Sequence, residues 1–215
     1  MIEFLNGIRT PDKTMDIKNK IINSFFIFML GITLAIFSKW LDNLLIDNTI
    51  WWQNIFGILD LRNRFSEFGI WLFIALTISL FSKTPLRASL NVFLFFVGMT
   101  TCYHIYTICF SGFNPVRYML IWYGITFISP IFAYICWYAK STSKISIIIS
   151  SLILYVMLSS SFGIGRWYID LKNITDTIIF VGTIIVLYLK PRQTTISIGV
   201  ALLLSFIFGD VFIWI

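Results

Sequence analysis

IINSFFIFMLGITLAIFSKW, Ile21–Trp40, holds twenty residues with one ionisable side chain, Lys39, next to its end. A helix needs about 20 apolar residues to cross the hydrocarbon core of a bilayer, so this run has spanning length. Six further runs come close to it: Ser66–Lys83, Ala88–Phe110, Val116–Ala139, Ile145–Gly163, Ile174–Leu189 and Thr195–Ile215. None shows the period-2 alternation of a membrane barrel, so the backbone is expected to satisfy itself in helices. The expected fold is an all-α polytopic membrane bundle of about seven transmembrane helices. The count is six if one of the two short runs, the second or the sixth, fails to cross.

Composition agrees. The chain is 58% hydrophobic and 12% charged, with a mean hydropathy of +0.87, whereas an average soluble domain carries roughly 25% charged residues. No cleavable signal peptide is expected, because charges fill the first twenty residues and the run after them is long enough to stay as a helix. Residues 1–20 read as a cytoplasmic tail and 21–215 as one transmembrane domain. Cys102, Cys109 and Cys136 sit in apolar runs without metal-ligand spacing, so neither a disulfide framework nor a metal is expected.

The net charge of +6 is explained by topology and needs no nucleic-acid partner. With the N-terminus inside, the inner segments hold ten basic residues and three acids, a balance of +7, and the outer ones hold −1. Basic residues collect on the cytoplasmic side of membrane proteins. The tight turns SKTPLR (82–87), KSTSK (140–144) and KPRQ (190–193) each carry two basic residues. The expected arrangement is therefore a plasma-membrane protein with N-terminus inside and C-terminus outside.

The connection at 41–65, LDNLLIDNTIWWQNIFGILDLRNRF, is the long one. Its mixture of apolar, aromatic and acidic residues predicts an interfacial segment or a short amphipathic helix, with Trp51 and Trp52 at headgroup level. Long loops of this kind are often lids. It runs into LDLRNRFSEFGIW (59–71), which concentrates Asp60, Arg62, Arg64 and Glu67. Capping accounts for Ser66 and Glu67 at the start of the next helix, and leaves the other three charges open.

His104 is the one histidine and shares a helical face with Thr100 and Thr107. It is a candidate ligand contact, or else an interhelical hydrogen bonder. Cys102 points about 160° away from it on a regular helix, so the two cannot act as nucleophile and base. Asp210 would sit just below the outer interface, with Trp214 as an anchor. Gly31 and Ala35 form a small-xxx-small pair that lets another helix approach, either within the chain or from a partner membrane subunit. No zinc-protease, serine-hydrolase or P-loop motif is present, and no catalytic residue or cofactor is assigned.

FSKTPLRASLNVFLFFVGMT (81–100) and GFNPVRYMLIWYGITFISPIFAYICWYAKS (112–141) resemble a family of small uncharacterised polytopic membrane proteins of Gram-positive bacteria. The resemblance reaches back to DLRNRFSEFGIW (60–71). It implies a bacterial plasma membrane and no particular activity. The layout is also similar to the substrate-binding S components of energy-coupling-factor vitamin transporters. Those have a cytoplasmic N-terminus, a small-xxx-small first helix and a loop over an outward site. The seventh span departs from their usual six, and no vitamin-specific motif is evident.

The leading expectation is a protein that binds or transports a small polar or cationic-aromatic molecule in an outward pocket. The 41–65 loop would supply its lid, and Trp51, Trp52, Asp60, Arg62, Arg64 and Glu67 would contact or gate the ligand, with His104 and Asp210 deeper. The alternatives are an accessory, sensor or immunity subunit working through helix interfaces, and an intramembrane enzyme.

Overall fold

The computed structural model describes residues 2–12, 14–47, 49–164, 169–171 and 173–208. In chain order the elements are α1 (Ile2–Ile8), α2 (Ile17–Asn43), α3 (Trp51–Ile58), α4 (Leu61–Ser66), α5 (Phe68–Phe81), α6 (Pro85–Ser111) and α7 (Val116–Trp137). After α8 (Lys144–Ser161) come the strands β1 (Phe162–Ile164) and β2 (Ile169–Leu171), then α9 (Ile174–Leu187) and α10 (Pro191–Phe208). Each apolar run therefore holds a helix, and among the described residues five helices (α2, α6, α7, α8 and α10) are long and apolar enough to cross a membrane. The other two, α5 and α9, have 14 residues each.

Helix ends follow local chemistry. Asp16 caps α2, Thr84 accepts from Arg87 N with Pro85 in the first turn of α6, Ser143 caps α8, and Asn173 caps α9. Gly112, at φ 70°, ends α6 in the left-handed region that glycine enters at no cost. Inside α7, Pro130 has no N–H to offer Thr126 O. The Ser129 hydroxyl donates to that carbonyl at 2.9 Å, which keeps the helix continuous.

Small hydroxyl side chains are buried alongside large apolar ones, and much of the outer surface is apolar. Ser38, Ser79, Thr100, Thr107 and Thr183 are buried, whereas Phe26, Leu120, Phe127 and Ile207 are more than half exposed. Bundles in lipid pack this way, with small and hydroxyl side chains between helices. Ser79 donates to Ala133 O at 2.7 Å and Ser89 to Pro130 O at 2.8 Å, tying α5 and α6 to α7.

α5 joins two cores. Trp71 and Ala75 pack with α2, α6 and α7, through Ala35, Phe95, Met99, Met119 and Trp122 among others. Leu76 and Leu80 pack with α8, α9 and α10.

Two stretches carry more structure than expected. Within the N-terminal segment, Leu5 and Ile8 of α1 pack with Ala88, Trp137 and Tyr138 of the bundle, and α2 begins at Ile17. Arg9 donates to Trp137 O at 2.5 Å and Leu80 O at 3.0 Å and lies 4.0 Å from the Trp137 ring centroid. It thus caps the negative ends of α7 and α5. Lys140 does the same for α9, at Val186 O. Burial pulls Arg9 below its ordinary pKa, and Lys140 is lowered by burial and then by the charge of Arg9. Secondly, the run ending at Gly163 stops being helical at Ser161 and turns into an antiparallel hairpin that pairs Phe162 with Leu171.

Asp12 clasps the same end, bonding Lys83 Nζ at 2.5 Å, while its backbone N–H donates to Lys83 O. The Lys83 ammonium and then Thr14 hold its carboxyl below the usual carboxylate range. A lowered acid supports the folded state above its ordinary pKa and loses that support as pH falls through the lowered value. D12N is expected to speed amide exchange across residues 5–12 at neutral pH, with α5 and α7 unchanged. Unaltered protection would show that Arg9 alone holds the segment.

Candidate functional site

The turns carrying Lys83, Lys140 and Lys190 lie with Arg9 at one end of the bundle, here the basic end. The charged stretch 59–71 lies at the other.

There α3 and α4 fold over the ends of α2, α5 and α9. Phe56 and Phe65 pack on Phe37, with ring centroids 6.5 and 5.4 Å away, and Trp52 stacks on Trp40 at 6.3 Å. The Trp71 indole N–H donates to Phe65 O at 2.9 Å. Between α3 and α4 the chain reverses at Asp60, whose φ of 50° is tolerated by Asp better than by most residues. Thr175, in the first turn of α9, donates to Leu59 O at 2.6 Å and holds this reversal down.

Three of the four charges converge. The Arg64 guanidinium reaches Asp60 Oδ2 at 3.3 Å, Glu67 Oε2 at 2.8 Å and Asp176 Oδ2 at 2.8 Å. Asp176, in the first turn of α9 where the helix dipole favours a negative charge, has a side chain 7% exposed. Arg62 is exposed and outside this node, and Trp51 faces outward. Ser66 is not the cap of α5. It ends α4 and bonds Arg62 O, while Glu67 takes the cap position without a side-chain cap bond.

His104 belongs to a separate group. Its Nδ1 lies 2.9 Å from Tyr123 Oη and its Nε2 2.9 Å from Asn114 Oδ1. With Nε2 protonated, the ring donates to Asn114 and accepts from Tyr123. Asp210 and Trp214 lie outside the described residues.

Another ion pair is marked in the sequence only by its i,i+3 spacing. Lys39 is 6% exposed, bonds Asp42 at 3.1 Å and sits 4.1 Å from the Tyr103 ring centroid, a cation–π contact.

Beside α4, Phe65, Trp71, Tyr103, Tyr118, Met119 and Trp122 line a space of about 10 Å³, room for at most about one water. A larger hollow of about 430 Å³ lies between α2 and α6, walled by apolar side chains including Phe28, Ile32, Ile36, Ile105 and Phe110. Gly31 and Ala35 are buried against α6, so the chain's own helix fills that stripe and it is not a free docking face. Among the described residues no group of three His, Cys, Asp or Glu side chains could hold a metal. Nor does any protein-family model, curated protein or solved structure match the chain.

Proposed function

We propose that the chain is a multi-pass plasma-membrane protein that works through contacts inside the bilayer, as an accessory, sensor or immunity subunit. All seven apolar helices lie in the membrane, with the basic end cytoplasmic. The filled interior carries this reading: the space beside α4 takes about one water, while the hollow of about 430 Å³ is lined by the apolar α2 and α6 walls. Ligand pockets for small molecules are usually about 300 Å³ or more and carry a few convergent polar groups.

A second reading, binding or transport of a small molecule under the lid, is favoured by the way the lid is fastened. Arg64 and the Thr175–Leu59 bond hold it to α9. Releasing them would uncover the aromatic wall of Trp71, Tyr118 and Trp122.

Labelling and crosslinking in native membranes test both parts. A membrane-impermeant maleimide is expected to reach Cys109, exposed near the end of α6, from outside, and Lys190→Cys, in a chain with the three native cysteines replaced by Ala, only after permeabilisation. The reverse pattern would overturn the orientation. A photo-crosslinker at exposed Thr101, on the hollow, is expected to give one discrete adduct with a second membrane protein. Lipid adducts alone, together with a bound small molecule that R64A releases, would decide for the second reading.

A further inference from the structure

α9 is too short for the membrane that α2 would span. Its 14 residues rise roughly 21 Å, against roughly 40 Å for the 27 residues of α2. Its exposed apolar side chains, Ile174, Ile178, Val181 and Ile185, recur at helical spacing and form one outward stripe. That stripe is roughly 17 Å tall, whereas the exposed apolar residues of α2 from Ile17 to Trp40 cover roughly 35 Å.

On the inner face of α9, charge lies near both ends of the stripe. Asp176 holds Arg64 in the first turn of α9, and Lys140 holds the Val186 carbonyl near its end. These two fastenings are ten residues apart on the helix, roughly 15 Å along the axis and about half of a 30 Å hydrocarbon core. α5, packed beside α9, is bounded in the same way by Glu67 and by Arg9 at Leu80 O. The half-exposed Tyr188 ends α9 with the kind of residue that favours the headgroup level.

A helix shorter than the hydrocarbon thickness is accommodated by thinning of the adjoining bilayer. We propose that the α9 face binds a locally thinned lipid shell and takes short-chain phospholipids in preference to long ones, while the α2 face shows no such preference. The inference rests on the bundle's spanning a bilayer, which the maleimide experiment tests separately.

The test uses the full chain with Cys102, Cys109 and Cys136 replaced by Ala, and one new cysteine at Ile178 or at Phe26, each carrying a fluorophore that brominated lipid quenches. Vesicles mix brominated phosphatidylcholine of 14-carbon or 18-carbon chains with its unbrominated counterpart. At Ile178 the 14-carbon lipid is expected to bind at least about threefold more tightly than the 18-carbon lipid, and at Phe26 about equally. Equal binding at both positions would overturn the proposal. So would an Ile178 label that lipid cannot quench and that crosslinks to its counterpart in a second copy, because the stripe would then be a subunit interface.

Discussion

R64A is expected to lower stability by about 3 kcal/mol, the scale of breaking a buried ion pair by removing one partner. Arg64 joins the lid to α9 and to the start of α5, so its loss removes charge-assisted bonds to Asp60, Glu67 and Asp176 together. Asp176 is the buried acid of the three and accounts for most of the cost. R64A/D176N is therefore expected to be more stable than R64A alone, because neutralising the carboxylate removes the desolvated charge. Denaturation midpoints in detergent give all four corners of the cycle. Amide exchange should rise in residues 51–66 and stay unchanged at the basic end. If R64A melted with the native protein, the node would be a surface decoration.

The α2–α6 seam should be as sensitive. A Cβ on Gly31 would fall 2.3 Å from Phe95 O, and one on Gly98 would fall 2.6 Å from Phe28 O. Both obstacles are backbone, so neither can turn aside and the helices must separate. G31A and G98A are each expected to cost about 2 kcal/mol, within the range for overpacking. G124A is the control, because nothing lies within 4 Å of its added methyl. There the helix preference for Ala over Gly predicts a gain of about 0.5–1 kcal/mol. Thermal melts of the three variants separate the predictions, and a destabilised G124A would show that backbone crowding is not the cause.

The helices were legible because apolar length is a property of contiguous residues. The two runs singled out as short, Ser66–Lys83 and Ile174–Leu189, contain the two 14-residue helices. Long-range pairing was not legible. Asp60, Arg64 and Glu67 fall within eight residues and form one visible group, but Asp176 stands 112 positions from Arg64 and nothing local marks it as their partner. Arg9 and Lys39 were counted only as charge. Their roles at Leu80 O, Trp137 O and the Tyr103 ring depend on how helices pack. Gly31 and Ala35 were recognised as a close-packing stripe, yet spacing alone cannot say whether the approaching helix belongs to the same chain. His104 illustrates the same limit, since its bonding to Tyr123 and Asn114 requires the turn at Gly112 to bring α7 alongside.

The anchoring of Arg9 has a consequence in time. Its two acceptors, Leu80 O and Trp137 O, lie 71 and 128 residues further along the chain. At a synthesis rate of about 5–20 residues per second, the guanidinium waits roughly 6–25 s after it is made before its second carbonyl exists. The α2–α6 seam, by contrast, is complete once Ser111 has been made. The segments of the α2–α6 seam therefore all exist before Arg9 has its second carbonyl. A variant such as R9A should insert and pair α2 with α6 at the normal rate, and fail only at the final closure.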